Sequence, residues 1–472
     1  MVRRFLFLTI LLSLAVAVSA EVKLPSVLGN DMVLQRNSEV NLWGSATPDR
    51  TVTVRTSWNG KKYKTKSDSD GKWALKVATG EAGGPYEIEF SDGDKLKLSG
   101  ILLGEVWVCG GQSNMEMPIK GFVAQPVQGA ADAIRDSYAH PDIRIFNVGR
   151  NRTETPQDDC KGEWKKPTPQ NVAECSATAY FFGRMLTDIL GVPVGLVTSY
   201  WGGTKAEVWM TRDAIKATEG IDHAFALKPD GNGFAPQTMY NGMIAPIAKF
   251  TAKGFIWYQG CSNTKRYEQY KRLQPSFVRM LRDAWNNADM PFYFTQIAPH
   301  MYKNPNDREA GFFMWAQAQT LSEIPHSGMA ATHDIGDEVC IHPAKKKPVG
   351  DRLAYLALTK NYGFDFISFD TPLPVSFEFK DGKAYVTFQA DRFGISPILK
   401  DIEGLELAGE DQVFYPAVGR VYHSDYKVVE VSSPQVSAPV AVRYGMRNWS
   451  VATMFNNYGI PVSPFRSDDW KE

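Results

Sequence analysis

The chain has 472 residues, and its 52 basic and 52 acidic side chains balance, which argues against nucleic acid or an anionic membrane surface as a partner. Its length accommodates two or three domains. No pair among the five cysteines has the close spacing that a structural zinc site needs, and we expect neither a metal nor a cofactor. Nothing in the composition indicates the oligomeric state.

Residues 1–20 have the pattern of a secretory signal peptide. Arg3 and Arg4 precede an apolar run over 5–18, and the small residues that end at Ala20 fit a cleavage site. The run is too short for a membrane span, and no later stretch is long and apolar enough to cross a bilayer. We therefore expect an exported protein, periplasmic or extracellular. Loss of Arg3 and Arg4 leaves 50 basic against 52 acidic residues, a net charge near −2.

Alternating apolar and polar side chains over 21–103 predict a small β-sandwich domain. Asn-Gly and Asp-Gly pairs at 59–60, 70–71 and 92–93 separate the runs as hairpin turns. The predicted strands of this domain cover 40–42, 51–54, 73–77, 86–90 and 95–98.

Strands that alternate with helices over 104–368 predict an α/β domain, in which a parallel sheet has helices on both faces. Its predicted strands cover 105–109, 143–148, 193–199, 254–258, 291–297 and 329–334, and its predicted helices lie near 129–138, 177–190, 267–286, 309–323 and 345–361. Pro275 is expected to kink the third helix. The connections over 148–176 and 220–250 are long enough to suggest functional surface.

The strand pattern returns after about residue 370, so 369–472 are predicted to form a C-terminal β segment. Apolar residues alternate up to a turn at Asp381-Gly382, and a partner strand follows. The predicted strands of this segment cover 375–379, 385–388, 428–431 and 440–443.

The stretch 106–115 is the first candidate for chemistry. An apolar strand ends at Gly110 and Gly111, and polar side chains follow from Gln112 onward. Glycines allow a sharp turn, which leaves Ser113 exposed at the carboxyl end of the sheet, where ligands bind in α/β proteins. Ser113 is therefore a candidate nucleophile. A strand, a turn and a helix cap explain the same residues, because serine and asparagine favour N-caps.

A serine nucleophile needs a base, usually histidine. His342 has a suitable position, because it ends a loop after the last predicted strand of the α/β domain and precedes a helix. Hydrolysis of an ester also needs donors for the developing oxyanion. Gly202, Gly203 and Asn263 follow two other strands of the same sheet and are candidate donors.

Six motifs together carry a resemblance to a known family. They are Gly-Gln-Ser-Asn-Met at 111–115, Ser-Tyr-Trp-Gly-Gly-Thr at 199–204, Tyr-Asn-Gly-Met-Ile-Ala-Pro at 240–246, Trp-Tyr-Gln-Gly at 257–260, Ile-His-Pro at 341–343 and Pro-Phe-Arg at 464–466. Over essentially the whole chain after residue 20, the sequence resembles the sialate O-acetylesterase family of SGNH-type hydrolases. The resemblance implies a flavodoxin-like catalytic domain between β segments and metal-independent hydrolysis of acetyl esters on sugars.

Carried over by position, the resemblance implies Ser113 as nucleophile and His342 as base. It implies an oxyanion hole made by the Ser113 N–H, a glycine of Gly202-Gly203 and Asn263. Gln112, Trp201 and Gln259 are expected sugar contacts, although ordinary packing explains the tryptophan at least as well.

Two cysteines depart from the family pattern. Cys261 stands where members commonly have Glu, and Cys340 stands two residues before the histidine, where they often have an acid. The paired replacement suggests a Cys261–Cys340 disulfide that joins the two loops, with two unpaired buried thiols as the alternative. Cys160 and Cys175 then form a second pair, and Cys109 remains a buried strand residue.

The missing acid leaves the orientation of His342 open. Either a nearby carboxylate orients the imidazole, with Asp337 preferred, or a backbone carbonyl does so in a Ser–His dyad. We expect an exported esterase that removes O-acetyl groups from sugars, O-acetylated sialic acid first among them. Acetyl-xylan or another plant polysaccharide is the alternative substrate. A non-catalytic glycan-binding protein with a decayed site is the alternative of another class.

Overall fold

The computed structural model of the chain describes residues 22–365 and 369–471, so the predicted signal peptide lies outside the described residues. Seven strands precede Ser113. They are β1 (Val33–Gln35), β2 (Glu39–Ser45), β3 (Thr51–Thr56), β4 (Lys62–Lys66), β5 (Lys72–Ala78), β6 (Gly83–Ser91) and β7 (Lys95–Gly111). β2 and β5 form an antiparallel pair, and the other strands join one sheet through β7.

Alternating strands and helices follow β7. The helices are α1 (Ser113–Glu116), α2 (Ala130–Arg135), α3 (Pro169–Glu174), α4 (Ala177–Leu190), α5 (Arg212–Lys216), α6 (His223–Ala226), α7 (Tyr267–Trp285), α8 (Glu309–Gln319) and α9 (Lys346–Asn361). The strands are β8 (Ile143–Asn147), β9 (Trp164–Lys165), β10 (Val194–Tyr200), β11 (Gly254–Tyr258), β12 (Phe292–Thr295) and β13 (Ser327–Ala330). Short 3-10 turns occur at Asp136–Ala139, Ala206–Trp209, Ala245–Ile247, Cys261–Arg266 and Thr320–Ser322, and a π-helical turn occurs at Tyr240–Ile244.

β7 connects the N-terminal sheet to the central sheet without a break. Its first half pairs with β6 and β1, and its second half lies between β10 and β11. The central order is β13-β12-β11-β7-β10-β8-β9, and every pairing in it is parallel except that of β9. Because the strands are parallel, their carboxyl ends and following loops meet at one edge.

The second half of β7 is buried on both faces, as a covered parallel sheet requires. Val106 and Val108 pack into the hydrophobic core that contains α7, whereas Trp107 and Cys109 pack into the core that contains α4 and α9. The helices therefore cover both faces of the sheet.

The C-terminal segment is an antiparallel β structure with its own core. Its strands are β14 (Pro374–Lys380), β15 (Lys383–Phe388), β16 (Ile395–Ser396), β17 (Ile402–Ala408), β18 (Phe414–Val421), β19 (Val428–Ser432), β20 (Ala441–Tyr444), β21 (Phe455–Asn456) and β22 (Phe465–Arg466). Seven of them form a sheet in the order β14-β15-β19-β18-β17-β20-β22. The segment packs on α8, where the Ala310 N–H donates to Asn448 at 2.9 Å.

Most predicted elements of the α/β region are confirmed, with α4 and β11 at the predicted bounds. α7 continues through Pro275, so the proline does not interrupt the helix. In the C-terminal segment the prediction missed β16, β17, β18, β21 and β22. Within the part of the chain that the structure describes, no helix is both long enough and apolar enough to span a membrane.

Candidate active site

The turn after β7 depends on two glycines. A Cβ at Gly110 would lie 2.6 Å from the Trp257 ring, and one at Gly111 would lie 2.2 Å from the Tyr258 carbonyl oxygen. Gly111 also has φ +145°, which L side chains rarely adopt. Glycine is therefore required here, and the turn brings Ser113 to the start of α1 at the carboxyl edge of the sheet.

His342 lies beside Ser113, as the sequence predicts. Its Nε2 is 2.8 Å from Ser113 Oγ, and its Nδ1 is 2.7 Å from Gln125 Oε1. The amide oxygen of Gln125 only accepts, so Nδ1 carries a hydrogen and Nε2 accepts from the serine hydroxyl. The Phe122 ring packs edge-on against the imidazole, with ring centroids 5.2 Å apart. The loop between α1 and α2 thus supplies both the acceptor for Nδ1 and the ring packed on the imidazole.

The imidazole is held in its neutral form. Burial, helped by the nearby charges of Lys346 and His300, lowers the pKa of His342 to about 4. A neutral imidazole can accept a proton from Ser113 at neutral pH, which is what a general base requires.

Asp337 does not occupy the position expected of a triad acid. Its Oδ1 accepts the backbone N–H groups of Val339 and Cys340, at 3.0 and 2.9 Å, and so holds the turn before His342. Gln125 lies at Nδ1 instead, so the preference for Asp337 is corrected. The carboxylate is used by its own loop because backbone donors two and three residues away are within easy reach.

The first expected oxyanion donor has another partner. The Gly202 N–H donates to Glu116 Oε2 at 2.7 Å, and Arg150 pairs with the other oxygen of the same carboxylate. A Cβ at Gly202 would lie 3.1 Å from Ser113 Cβ, so glycine is needed beside the serine. Gly203 is exposed and turns the chain with φ +74°.

Asn263 is buried among polar partners. Its Nδ2 donates to Glu207 Oε2 at 3.0 Å, and its Oδ1 accepts from Ala206 N–H and from Gln259 Nε2. Glu207 in turn pairs with Arg266, so its buried charge is neutralised. One of the two Nδ2 hydrogens of Asn263 therefore fixes the amide in place.

Two of the three expected sugar contacts, Gln112 and Gln259, are buried. Gln112 accepts from the Gly260 N–H at 2.9 Å and ties the two loops together. Gln259 is 1% exposed and donates to the Thr204 carbonyl and to Asn263. Both glutamines thus organise the sheet edge from inside. Trp201 is partly exposed and packs against Phe234 and Arg150.

Neither expected disulfide is present, because all five cysteines are unpaired. Cys160 and Cys175 belong to different hydrophobic cores on opposite faces of the central sheet, which separates them. The Cys340 thiol lies 3.3 Å from the His342 carbonyl oxygen and 3.7 Å from Gln125 Oε1. Burial raises the pKa of Cys261, so this residue is an uncharged thiol.

With the site described, its relatives can be compared. A family model described as a carbohydrate esterase, sialic acid-specific acetylesterase, matches residues 103–359, which are 257 of the 472 residues. The chain belongs to this family. It is a carboxylic ester hydrolase, which decides against the non-catalytic alternative.

Several relatives resemble the chain along most of its length. Mouse sialate O-acetylesterase is 27% identical over 93% of both chains. The human sialate O-acetylesterase is 29% identical over 75% of this chain and 73% of its own. A crystal structure of a carbohydrate acetylesterase from Xanthomonas citri superimposes with a TM-score of 0.87 and 32% identity, over 95% of this chain and 100% of the other.

Sequence reasoning missed four side chains of this esterase site: Gln125, Glu116, Glu207 and Lys346. Glu116 directly follows the motif at 111–115, and Glu207 lies three residues after the motif at 199–204, so their positions could have been examined. Lys346 follows His342 by four residues at the start of α9. Gln125 has no signal in the sequence, because an irregular loop brings it to a histidine 217 residues away. Among residues 22–365 and 369–471, no group of three His, Cys, Asp or Glu side chains could hold a metal ion.

Proposed function

We propose that the chain is an exported serine esterase that removes O-acetyl groups from sugars, with O-acetylated sialic acid as the favoured substrate. The observation that carries the proposal is the 2.8 Å contact between Ser113 Oγ and a neutral His342 at the carboxyl edge of a parallel sheet. With β8 and β9 left out, the central order β10-β7-β11-β12-β13 reads 2-1-3-4-5, which supports the flavodoxin-like topology expected of an SGNH-type hydrolase.

In the proposed mechanism, Ser113 Oγ attacks the acetyl carbonyl carbon while His342 Nε2 takes the hydroxyl proton. The tetrahedral intermediate collapses as His342 returns this proton to the leaving sugar oxygen, which yields free sugar and acetyl-serine. His342 then takes a proton from water, and the resulting hydroxide attacks the acetyl carbon. As the bond to Ser113 Oγ breaks, His342 gives its proton to this oxygen, and the acetic acid that leaves ionises to acetate. Gln125 holds the Nδ1–H throughout, so Nε2 stays aimed at the serine.

Two donors are proposed for the oxyanion. The Ser113 N–H begins α1, where backbone donors have no partner within the helix. The second Nδ2 hydrogen of Asn263 is the other donor, because Glu207 engages the first and fixes the amide. The Gly202 N–H is less suitable, since it already donates to a carboxylate.

The test measures acetate release from two substrates by the purified full chain. O-acetylated sialic acid should be hydrolysed faster than acetyl-xylan, and Ser113→Ala should abolish release from both. A Ser113→Ala protein with full activity would overturn the mechanism. Faster release from acetyl-xylan would move the substrate to the plant-polysaccharide class and leave the mechanism intact.

Export is proposed from the pattern of residues 1–20 and is tested separately. A tagged full chain should appear in the periplasm or the medium with its N-terminus near residue 21. Recovery of the uncleaved chain in the cytoplasm would refute it.

A further inference from the structure

Lys346 is a buried lysine without a carboxylate partner. Among the described residues it is the one lysine that is fully buried, with 0% of its surface exposed. Buried Arg443 and Arg352 both pair with aspartates, at 2.7 and 2.6 Å. Among residues 22–365 and 369–471, no acidic side chain lies within ion-pair distance of Lys346; its Nζ contacts the side-chain oxygen of Asn114. A buried ammonium without a counter-ion costs stability, so its position calls for a function.

The contact with Asn114 places Lys346 behind the catalytic pair. Asn114 directly follows Ser113, and its Nδ2 donates to the carbonyl of Ile341, the residue before His342, at 3.0 Å. Two sets of contacts therefore join the Ser113-Asn114 segment to the Ile341-His342 segment. One is the Ser113–His342 contact, and the other is the chain of contacts from Lys346 through Asn114 to Ile341.

The titratable groups around the amine come from three segments. They are Tyr258 of β11, with its ring centroid 5.8 Å from Nζ, Cys261 after β11, Cys340 and His342 of the histidine loop, and, beyond these, His300 and Tyr302 from the segment after β12. Burial lowers the pKa of Lys346 to about 7, so the amine is charged in mild acid and largely neutral above pH 8. In both forms it carries a hydrogen that Asn114 can accept.

We propose that Lys346 is a positioning residue of the esterase, which acts through Asn114 to fix Ser113 against His342. This inference rests on the proposed function. It assigns the buried amine to the active site and not to the core.

Lys346→Met tests it, because methionine fills a similar space without the amine. The matched control is Lys347→Met, the next residue on α9, whose ammonium is partly exposed and pairs with Asp351. At pH 8.5 Lys346 is neutral, so the loss measured there reports positioning. We expect kcat for p-nitrophenyl acetate to fall about 10- to 100-fold with KM changed less than about 3-fold, and no such change in the control.

The charge has its own readout in the acid limb of kcat/KM. Loss of a cation near His342 raises the pKa of the imidazole, so the limb should move up by about half a unit or more in Lys346→Met and stay in place in the control. A lysine whose charge does not act on His342 would leave the limb unmoved. Thermal unfolding of each variant confirms that the measured protein is folded.

Asn114→Ala provides a second route if Lys346→Met fails to fold. Because the two residues act in series, the double variant should lose little more kcat than the worse single variant. Three results would overturn the proposal. They are fully additive losses in the double variant, a wild-type kcat in Asn114→Ala, and an unchanged kcat together with an unchanged acid limb in Lys346→Met. If the wild-type chain releases no acetate from any ester, the proposed function itself has failed, a result that no Lys346 variant can produce.

Discussion

The turn that carries Ser113 is fixed by buried backbone contacts, whereas the loop that carries His342 depends on side chains from distant segments. On the serine side, Gly110 and Gly111 pack against β11 with no room for a Cβ. On the histidine side, Nδ1 rests on the amide of the partly exposed Gln125. The comparison indicates that the position of the nucleophile is built into the sheet, while the orientation of the histidine base is held by a loop side chain.

The largest effect is expected on the serine side, from Gly111→Ala. The new Cβ would meet the Tyr258 carbonyl oxygen at 2.2 Å in a backbone region that disfavours alanine, so we expect a loss of about 3 kcal/mol or more in unfolding free energy and no measurable activity. Gly129→Ala is the control, because Gly129 has φ +76° with open space around it and should cost about 1 kcal/mol. Urea unfolding measures both. Equal losses of unfolding free energy in the two variants would show that the turn after β7 tolerates a side chain.

The next effect concerns Gln125→Ala, which removes the acceptor for His342 Nδ1. We expect kcat to fall about 10- to 100-fold because the imidazole can rotate or change tautomer, with little change in stability since Gln125 is partly exposed. Gln128→Ala is the matched control in the same loop, as its side chain is exposed. Steady-state kinetics with thermal unfolding separate the two effects. A wild-type kcat in Gln125→Ala would mean that the backbone and Phe122 suffice to hold the histidine.

A pH profile sharpens the same contrast. His342 must be neutral to act as base and its pKa lies near 4, so wild-type kcat/KM should decline only as the pH falls toward that value. Gln125→Glu places a carboxylate at Nδ1, which favours the imidazolium and raises the pKa. Its acid limb should therefore move upward by about one unit or more. An acid limb near 6.5 in the wild-type chain would contradict the burial argument.

The same difference explains what could be predicted from the sequence. Ser113 and His342 follow strands of one parallel sheet, so topology alone brings their loops to the same edge. Gln125 could not be anticipated, because its role depends on which side chain of an irregular loop reaches the imidazole. Glu116 accepts the Gly202 N–H that the sequence had suggested for the oxyanion.

The fold shows a similar division. The predicted boundary after residue 103 falls within β7, since a continuous strand gives no local signal of where one sheet ends. β17 and β18 were missed because a register shift interrupts the alternation of β17, while Pro416 and Gly419 make β18 look like a turn. Where the hydrophobic pattern of the sequence matches the burial of the element, as in α4 and β11, the predicted bounds are confirmed.

The smallest effect is expected from Asp337→Asn. The asparagine oxygen can still accept the N–H groups of Val339 and Cys340, so the turn before His342 survives and kcat should change less than about 3-fold. Asp337→Ala loses both bonds and should cost about 1 kcal/mol of stability with a modest loss of kcat, because the loop loosens. The pair of variants separates the shape of the loop from the charge of the side chain. A fall of 100-fold or more in Asp337→Asn alone would mean that the charge supports the imidazolium during the reaction, and the histidine side would then be less dependent on Gln125 than its 2.7 Å contact indicates.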